Sequence, residues 1–292
     1  MPPELKSVRE RLLAFPSRLE GLDAHKIESF LASRKLNHTN YVVHYSEDIP
    51  EIESILGHNY IDEPSIGGIF IPELDIVLVL RDKELEENNG TAFTEGKIIH
   101  ELAHSAKPQP LDYTEFPNNR LLGLLPGISL KTPSSGFLEG LDTENSSGWF
   151  IEEGFADLMR GEYIALNMPN EVKKAIINSD TELLGLGERR AQVVKYAYLD
   201  HNDEVKIMNS SHAALAIELL CEKEPLLREE LLNGRNDLSV GERIKNYVNR
   251  LSPGLYDKLN QLDYTSGDFV EGLRMVVKEV YLKSETDGEL QT

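Results

Sequence analysis

The sequence predicts an α+β protein that has a small sheet in its N-terminal half and helices through most of the remaining chain. Three observations lead to this class. A β-hairpin pattern occupies 67–80, amphipathic helical patterns lie on both sides of it, and almost every segment beyond 170 repeats the helical spacing of apolar residues. The 292 residues are 40% hydrophobic, so the chain has enough apolar surface for a large core.

The first elements before the hairpin are two helices, a strand and a short helix, predicted at 5–15, 24–35, 41–45 and 50–57. Within the hairpin, the first arm is 67–71 and the second is the continuous apolar run 76–80. Such a run is typical of a strand that is covered on both faces. We therefore expect the second arm inside the sheet and the first arm nearer its edge.

A helix is predicted at 92–106, since Ile99, Leu102 and Ala103 fall on one helical face. The next segment, 107–148, holds five of the 14 prolines and is expected to be an irregular lid or mobile insert. Another helix follows at about 149–166. The later helices are predicted at 170–178, 189–199, 210–222, 226–233, 239–250, 253–261 and 267–282.

The pattern divides the chain into two predicted domains with a boundary near 167–170. The first domain spans 1–167 and includes the insert, and the second is an all-helical domain at 168–283. Residues 284–292 are polar without periodicity, which predicts a flexible tail.

Charge and composition exclude several classes of function. Fifty acidic residues against thirty basic ones give a formal net charge of -20, which disfavours nucleic-acid binding. No signal-peptide pattern opens the chain, and no apolar run reaches the roughly 18 residues that a membrane span requires. Because Cys221 is the only cysteine, no intrachain disulfide can form. We expect a cytoplasmic protein without membrane contact, with leaderless secretion as the alternative.

The strongest chemical signal is the run His100-Glu101-Leu102-Ala103-His104 on a predicted helix. Residues at i and i+4 share one helical face, so both imidazoles can reach one ion about 2 Å away. Glu101 lies beside them, where a carboxylate can accept a proton from water and deliver it to a leaving amine. The pattern predicts a zinc site with Glu101 as the general base.

A third zinc ligand is expected on the helix at about 149–166. Glu153 and Asp157 are four residues apart, so one can bind the ion while the other hydrogen-bonds a ligand histidine. Glu152 is the competing ligand, but the residue four positions beyond it is Ala156, whose side chain cannot hydrogen-bond. We favour Glu153 as the ligand.

Together, the 100–104 motif and the Glu153 to Asp157 segment resemble the gluzincin clan of zinc metallopeptidases, typified by thermolysin-like enzymes and aminopeptidase N. The resemblance implies that 1–167 is a zincin-like catalytic domain. It also implies one Zn²⁺ ion bound by His100, His104 and Glu153, with Asp157 hydrogen-bonded to His100. Glu101 would then be the base.

The resemblance also implies where a peptide or protein substrate binds. In gluzincins an antiparallel edge strand precedes the central strand and the active helix, and 67–80 looks like that strand pair. Substrate would add as a further strand along Gly68, Ile69 and Phe70.

Gluzincins commonly use a tyrosine or histidine to stabilise the oxyanion, and no motif identifies this residue here. His212 is the first candidate, followed by Tyr163, Tyr196 and Tyr198. The predicted function is a zinc-dependent peptidase. Two alternatives stay open: a catalytically silent metal-bearing binding or regulatory protein, and a zinc hydrolase of non-peptide amides.

Overall fold

A computed structural model describes most of the chain. The insert predicted at 107–148 lies outside the described residues. The described residues are 3–36, 40–57, 67–71, 74–105, 149–181, 183–184, 190–233, 240–262 and 267–289. Within them the architecture is α+β and mostly helical, as the sequence predicts.

The elements are numbered here in chain order. The helices are α1 (Pro3–Leu13), α2 (Ala24–Ser33), α3 (Ile49–Leu56), α4 (Lys83–Asn89), α5 (Ala92–Ser105), α6 (Trp149–Asn167), α7 (Asn170–Asn178), α8 (Arg190–Tyr196), α9 (Asn209–Lys223), α10 (Pro225–Asn233), α11 (Val240–Leu251), α12 (Leu255–Asn260) and α13 (Phe269–Glu289). The strands are β1 (Asn40–His44), β2 (Gly68–Ile71), β3 (Ile76–Leu80), β4 (Ala197–Leu199) and β5 (Val205–Ile207).

The first three strands form a mixed sheet in the order β1-β3-β2. The central strand β3 pairs in parallel with β1 and antiparallel with β2, and its residues Ile76 to Val79 are 0% exposed. Both hairpin expectations are therefore confirmed, with β3 covered on its two faces and β2 at the edge. The strand has this burial because Ile76 and Leu78 pack into the core on one face of the sheet, and Val77 and Val79 pack into the core on the other face.

The pairing of β2 with β3 determines which backbone groups face outward. The Leu80 N–H donates to the Gly67 carbonyl at 3.0 Å, so these two residues form a hydrogen-bonded pair. Because such pairs alternate along antiparallel strands, the backbone groups of Gly68 and Phe70 point away from β3. The outer edge of β2 is where a further strand could pair.

Helices cover both faces of this sheet. On one face, Leu12 of α1 and Ile52 of α3 share a core with Leu78. On the other face, Val79 joins a larger core that includes Ile98 of α5. That core continues through α6 and α9 and reaches Val280 in α13, so the two predicted domains share one hydrophobic core.

The structure differs from the sequence prediction after Tyr196. The helix predicted to reach residue 199 ends there, and β4 and β5 form a two-stranded antiparallel sheet. The expectation of an all-helical second part is therefore wrong at this point. The Asp200 side chain accepts the backbone N–H groups of Asn202 at 2.8 Å and Glu204 at 3.0 Å, which closes a turn instead of extending a helix.

The C-terminal end also differs from its prediction. Helix α13 continues to Glu289, where the sequence predicted a flexible tail from residue 284. The six residues from 284 to 289 are Ser, Glu, Thr, Asp, Gly and Glu, so they extend the helix without an apolar face. Among the described residues, no helix carries an apolar stretch long enough to cross a bilayer.

Candidate metal centre

Helix α5 carries both histidines of the metal-binding motif. It packs on the sheet through Ile98, Ile99 and Leu102, which are 0% exposed. His100 and His104 lie one turn apart on this helix, and their side chains are 14% and 13% exposed. The sheet therefore holds the helix in place while both imidazoles stay within reach of a neighbouring element.

Two glycines allow close helix packing, one between α5 and α6 and the other between α6 and α9. A Cβ atom on Gly96 of α5 would lie 2.9 Å from the Ile164 side chain of α6. A Cβ atom on Gly154 of α6 would lie 2.8 Å from Ile217 and 3.1 Å from the Ala213 carbonyl oxygen, both in α9. Because any side chain at these positions would push the helices apart, the glycines set the spacing of the site.

Three side chains from α5 and α6 bring donor atoms together. The two Nε2 atoms of His100 and His104 are 3.1 Å apart. One oxygen of Glu153 lies 3.4 Å from the His100 Nε2 atom, and the other lies 3.3 Å from the His104 Nε2 atom. Among the residues that the structure describes, this is the only group of three or more His, Cys, Asp or Glu side chains arranged to hold a metal ion.

The spacing of these donor atoms can be compared with the geometry of a zinc site. Ligand atoms 2.0–2.1 Å from a tetrahedral zinc ion lie about 3.3 Å from one another. The Nε2 atoms are 3.1 Å apart, and each lies 3.3 or 3.4 Å from the nearer oxygen of Glu153, a different oxygen for each histidine, so all three distances are close to this value. Two imidazoles and a carboxylate are also a donor set that zinc accepts. The residues present therefore fit a single zinc ion; the side chain of the competing ligand, Glu152, lies outside the described residues.

The electrostatics of the group favour a positive charge between the side chains. Burial opposes protonation of His100, but the nearby carboxylates of Asp157, Glu153 and Glu101 raise its pKa to about 10. Carboxylates that draw a proton onto an imidazole this strongly would also stabilise a divalent cation in its place.

Asp157 is held as a carboxylate by three partners. Its Oδ1 atom lies 3.4 Å from the Nδ1 atom of His100 and accepts a hydrogen bond from Arg160 at 2.7 Å. Its Oδ2 atom accepts the Ser211 hydroxyl at 2.6 Å. Burial opposes its charge, but Arg160 and His100 outweigh burial and lower its pKa well below the usual range. Sequence reasoning identified Asp157 but missed Arg160 and Ser211.

Glu101 lies between the imidazoles and the sheet edge. Its carboxylate accepts the backbone N–H of Phe70, and burial raises its pKa although His100 and His104 oppose the rise. A Cβ atom on Gly68 would lie 2.7 Å from its Cγ atom and 3.0 Å from its Oε1 atom. Glycine at position 68 is therefore what allows Glu101 to sit against β2.

The three predicted substrate-binding residues of β2 point in different directions. Gly68 and Phe70 direct backbone groups to the outer edge, next to Glu101. Ile69 pairs with Leu78 of β3, and its side chain packs on the opposite face of the sheet. A strand added at this edge would pair with Gly68 and Phe70.

The predicted oxyanion residues are not hydrogen-bonded to this group among the described residues. The Tyr163 hydroxyl donates to Glu95 at 2.7 Å. Tyr163 also lies ten residues beyond Glu153 on the same helix, which corresponds to about 15 Å along the axis. It therefore lies outside the immediate metal-binding group.

The other three candidates have different surroundings. His212 is 8% exposed, and burial together with the charge of Arg274 lowers its pKa to about 4. The Tyr196 hydroxyl donates to Glu218 at 2.7 Å, and the Tyr198 ring lies 5.3 Å from that of Phe93. None of these contacts links an oxyanion donor to the described site.

No protein-family model, no curated protein and no solved structure matches this chain.

Proposed function

We propose that this protein is a zinc-dependent peptidase of the gluzincin type. The observation that supports this most directly is the convergence of His100, His104 and Glu153, whose Nε2 atoms lie 3.1 Å apart and each within 3.4 Å of a carboxylate oxygen of Glu153. Glu101 and the outer edge of β2, which pairs with no strand among the described residues, lie beside this group. A metal site, a buried base and a surface for an extended peptide are thus combined in one place.

His100, His104 and Glu153 would hold the ion through two Nε2 atoms and the carboxylate. Donation of the Nδ1 proton of His100 to Asp157 would leave its Nε2 lone pair directed at the ion, which fixes the tautomer and the ring orientation. Arg160 and Ser211 keep Asp157 ionised and in position. When bound, zinc would acidify a water molecule and polarise the carbonyl of the substrate.

Glu101 would move the proton in this reaction. Its raised pKa brings a carboxylate closer to the neutral range in which a base can accept a proton and return it. It would accept a proton from the attacking water and deliver it to the nitrogen of the leaving amine. The Phe70 N–H holds the carboxylate at the strand edge, beside the position of the scissile bond.

The strand edge favours a peptide over a non-peptide amide. Gly68 offers its backbone N–H and carbonyl and Phe70 offers its carbonyl to an extended peptide, while the Phe70 N–H is used by Glu101. A small amide without a peptide backbone could not use these groups. The presence of Glu101 next to the metal-binding group argues against a silent binding protein, since binding alone does not need a base there.

The direct experiment compares the wild-type protein with Glu101→Gln. We expect about one zinc per chain in both and at least a 100-fold lower rate of peptide cleavage in Glu101→Gln, because the base is lost. Glu51→Gln, which makes the same isosteric change at an exposed position of α3, should cleave like the wild type.

Zinc content is measured by elemental analysis, and cleavage is measured by mass spectrometry of a diverse peptide mixture. Equal cleavage by Glu101→Gln and wild type would overturn the assignment of the base. Bound zinc without chelator-sensitive products would favour the silent binding protein, and turnover of simple amides alone would favour the non-peptide hydrolase.

A further inference from the structure

A lysine lies next to the proposed substrate edge. Lys97 is four residues before Glu101 on α5, so both side chains lie on one face of the helix. The side-chain atoms Cε, Cδ and Nζ lie 3.1, 3.2 and 3.4 Å from the position that a Cβ atom on Gly67 would occupy. Lys97 therefore contacts Gly67, the residue before β2, much as Glu101 contacts Gly68.

The ammonium group of Lys97 is incompletely partnered. It donates one hydrogen bond, to the Leu80 carbonyl at 3.3 Å, although an ammonium carries three donors. It also lies 5.0 Å from the centre of the Phe93 ring. Among the described residues, no carboxylate oxygen lies within 4 Å of the Lys97 Nζ atom, the distance that defines an ion pair. A partly buried cation with unused donors is stabilised when a ligand brings an anion to it.

A second cation lies on the same aromatic ring. The Arg160 guanidinium is 5.6 Å from the centre of the Phe93 ring and is bonded to Asp157. Burial and the charge of Arg160 lower the pKa of Lys97 to about 8, which leaves the amine mainly protonated at neutral pH. Lys97 thus keeps its charge beside a second cation.

The distance between Lys97 and Glu101 indicates which part of a substrate could meet the ammonium. Four residues of a helix span about 6 Å along the axis. A strand advances about 3.3 Å per residue. With the cleaved bond beside Glu101, a side chain one or two residues away along the β2 edge would therefore lie near Lys97.

We propose that Lys97 forms a carboxylate-binding subsite, and that the protein prefers peptides with an acidic side chain one or two residues from the cleaved bond. This inference rests on the proposed peptidase function and specifies its substrate class. It follows from the contact of Lys97 with the strand edge and from the donors that its ammonium leaves unused.

The test uses peptide pairs that differ only by Glu or Gln at each of the two positions on either side of the cleaved bond. In the wild-type protein we expect kcat/KM to be about tenfold higher for the Glu peptide at one of these positions, the size expected of a charge-assisted hydrogen bond. Lys97→Met should bring this ratio to about one. Lys174→Met, which removes the same charge from an exposed position on α7, should retain the tenfold ratio.

A binding measurement separates this inference from the proposed function. Fluorescence anisotropy of the same labelled peptides with the Glu101→Gln protein reports the Glu preference without turnover, and the preference should disappear in the Lys97→Met, Glu101→Gln double variant. Equal binding of Glu and Gln peptides at all four positions would overturn the inference, even if the wild type cleaves both. Preferential binding without cleavage by the wild type would support the subsite and contradict the peptidase.

If Lys97→Met does not fold, Lys97→Gln and Lys97→Arg replace it. The preference should disappear in Lys97→Gln and persist in Lys97→Arg, whose guanidinium also binds carboxylates. Persistence of the Glu preference in Lys97→Gln would overturn the role of this residue.

Discussion

Gly68→Ala should impair cleavage without removing the metal. The added Cβ would lie 2.7 Å from the Cγ atom of Glu101, whereas carbon atoms in ordinary contact stay at least 3.4 Å apart. The two groups must therefore separate by about 0.7 Å. Glu101 cannot yield easily, since Cγ is close to the backbone of α5 and that helix is fixed by the buried Ile98 and Leu102. Because a misplacement near 1 Å can cost about 100-fold, we expect kcat/KM to fall 10- to 100-fold.

The assay for this variant is steady-state peptide hydrolysis with zinc content measured in parallel. Gly267→Ala is the matched control, because a Cβ atom there would meet nothing within 4 Å. It should cleave like the wild type. If Gly68→Ala binds a full complement of zinc and cleaves at the wild-type rate, the close fit between Glu101 and the strand edge has no catalytic role and the reasoning fails.

Three further predictions concern zinc affinity and stability. Asp157→Asn should weaken zinc binding 10- to 100-fold in a competition titration with a chelator, since it removes the carboxylate that orients His100; unaltered affinity would contradict this role. Asn89→Ala should lower the free energy of unfolding in urea by about 3 kcal/mol, because the Asn89 amide makes hydrogen bonds of 2.8 and 2.7 Å with the buried backbone of Leu199; a loss below about 1 kcal/mol would count against it. The free energy of unfolding should also fall as pH drops from 6.5 to 4, by up to about 3 kcal/mol from His212 alone. Over this range His212 binds a proton in the unfolded chain but stays mostly neutral in the folded protein, because its pKa is lowered to about 4 there. Urea titrations of His212→Phe should show a shallower decline, and an unchanged pH profile would refute the assignment.

The elements near the metal centre follow from strong local patterns in the sequence. The run 76–80 leaves no polar face, so only a strand with cover on both sides suits it, and β3 is such a strand. The helical repeat alone was enough to predict that His100 and His104 lie on one face of a helix. The same repeat linked Glu153 to Asp157, and the structure places both near His100.

Other features depend on contacts between distant segments. The β4–β5 pair is held by Asn89, more than a hundred residues earlier, and no local pattern records that contact. Ser211 reaches Asp157 only because α9 packs closely on α6 at Gly154. Arg160 lies three residues after Asp157, so the i, i+3 spacing was a signal that could have identified it.

The proposed function requires one zinc ion bound between α5 and α6. The most direct measurement is a crystal structure of the zinc-treated protein with anomalous data collected at the zinc absorption edge. We expect a single strong peak about 2.0–2.2 Å from the Nε2 atoms of His100 and His104 and from a carboxylate oxygen of Glu153. A protein that binds zinc elsewhere, or shows no peak among these three side chains, would contradict it.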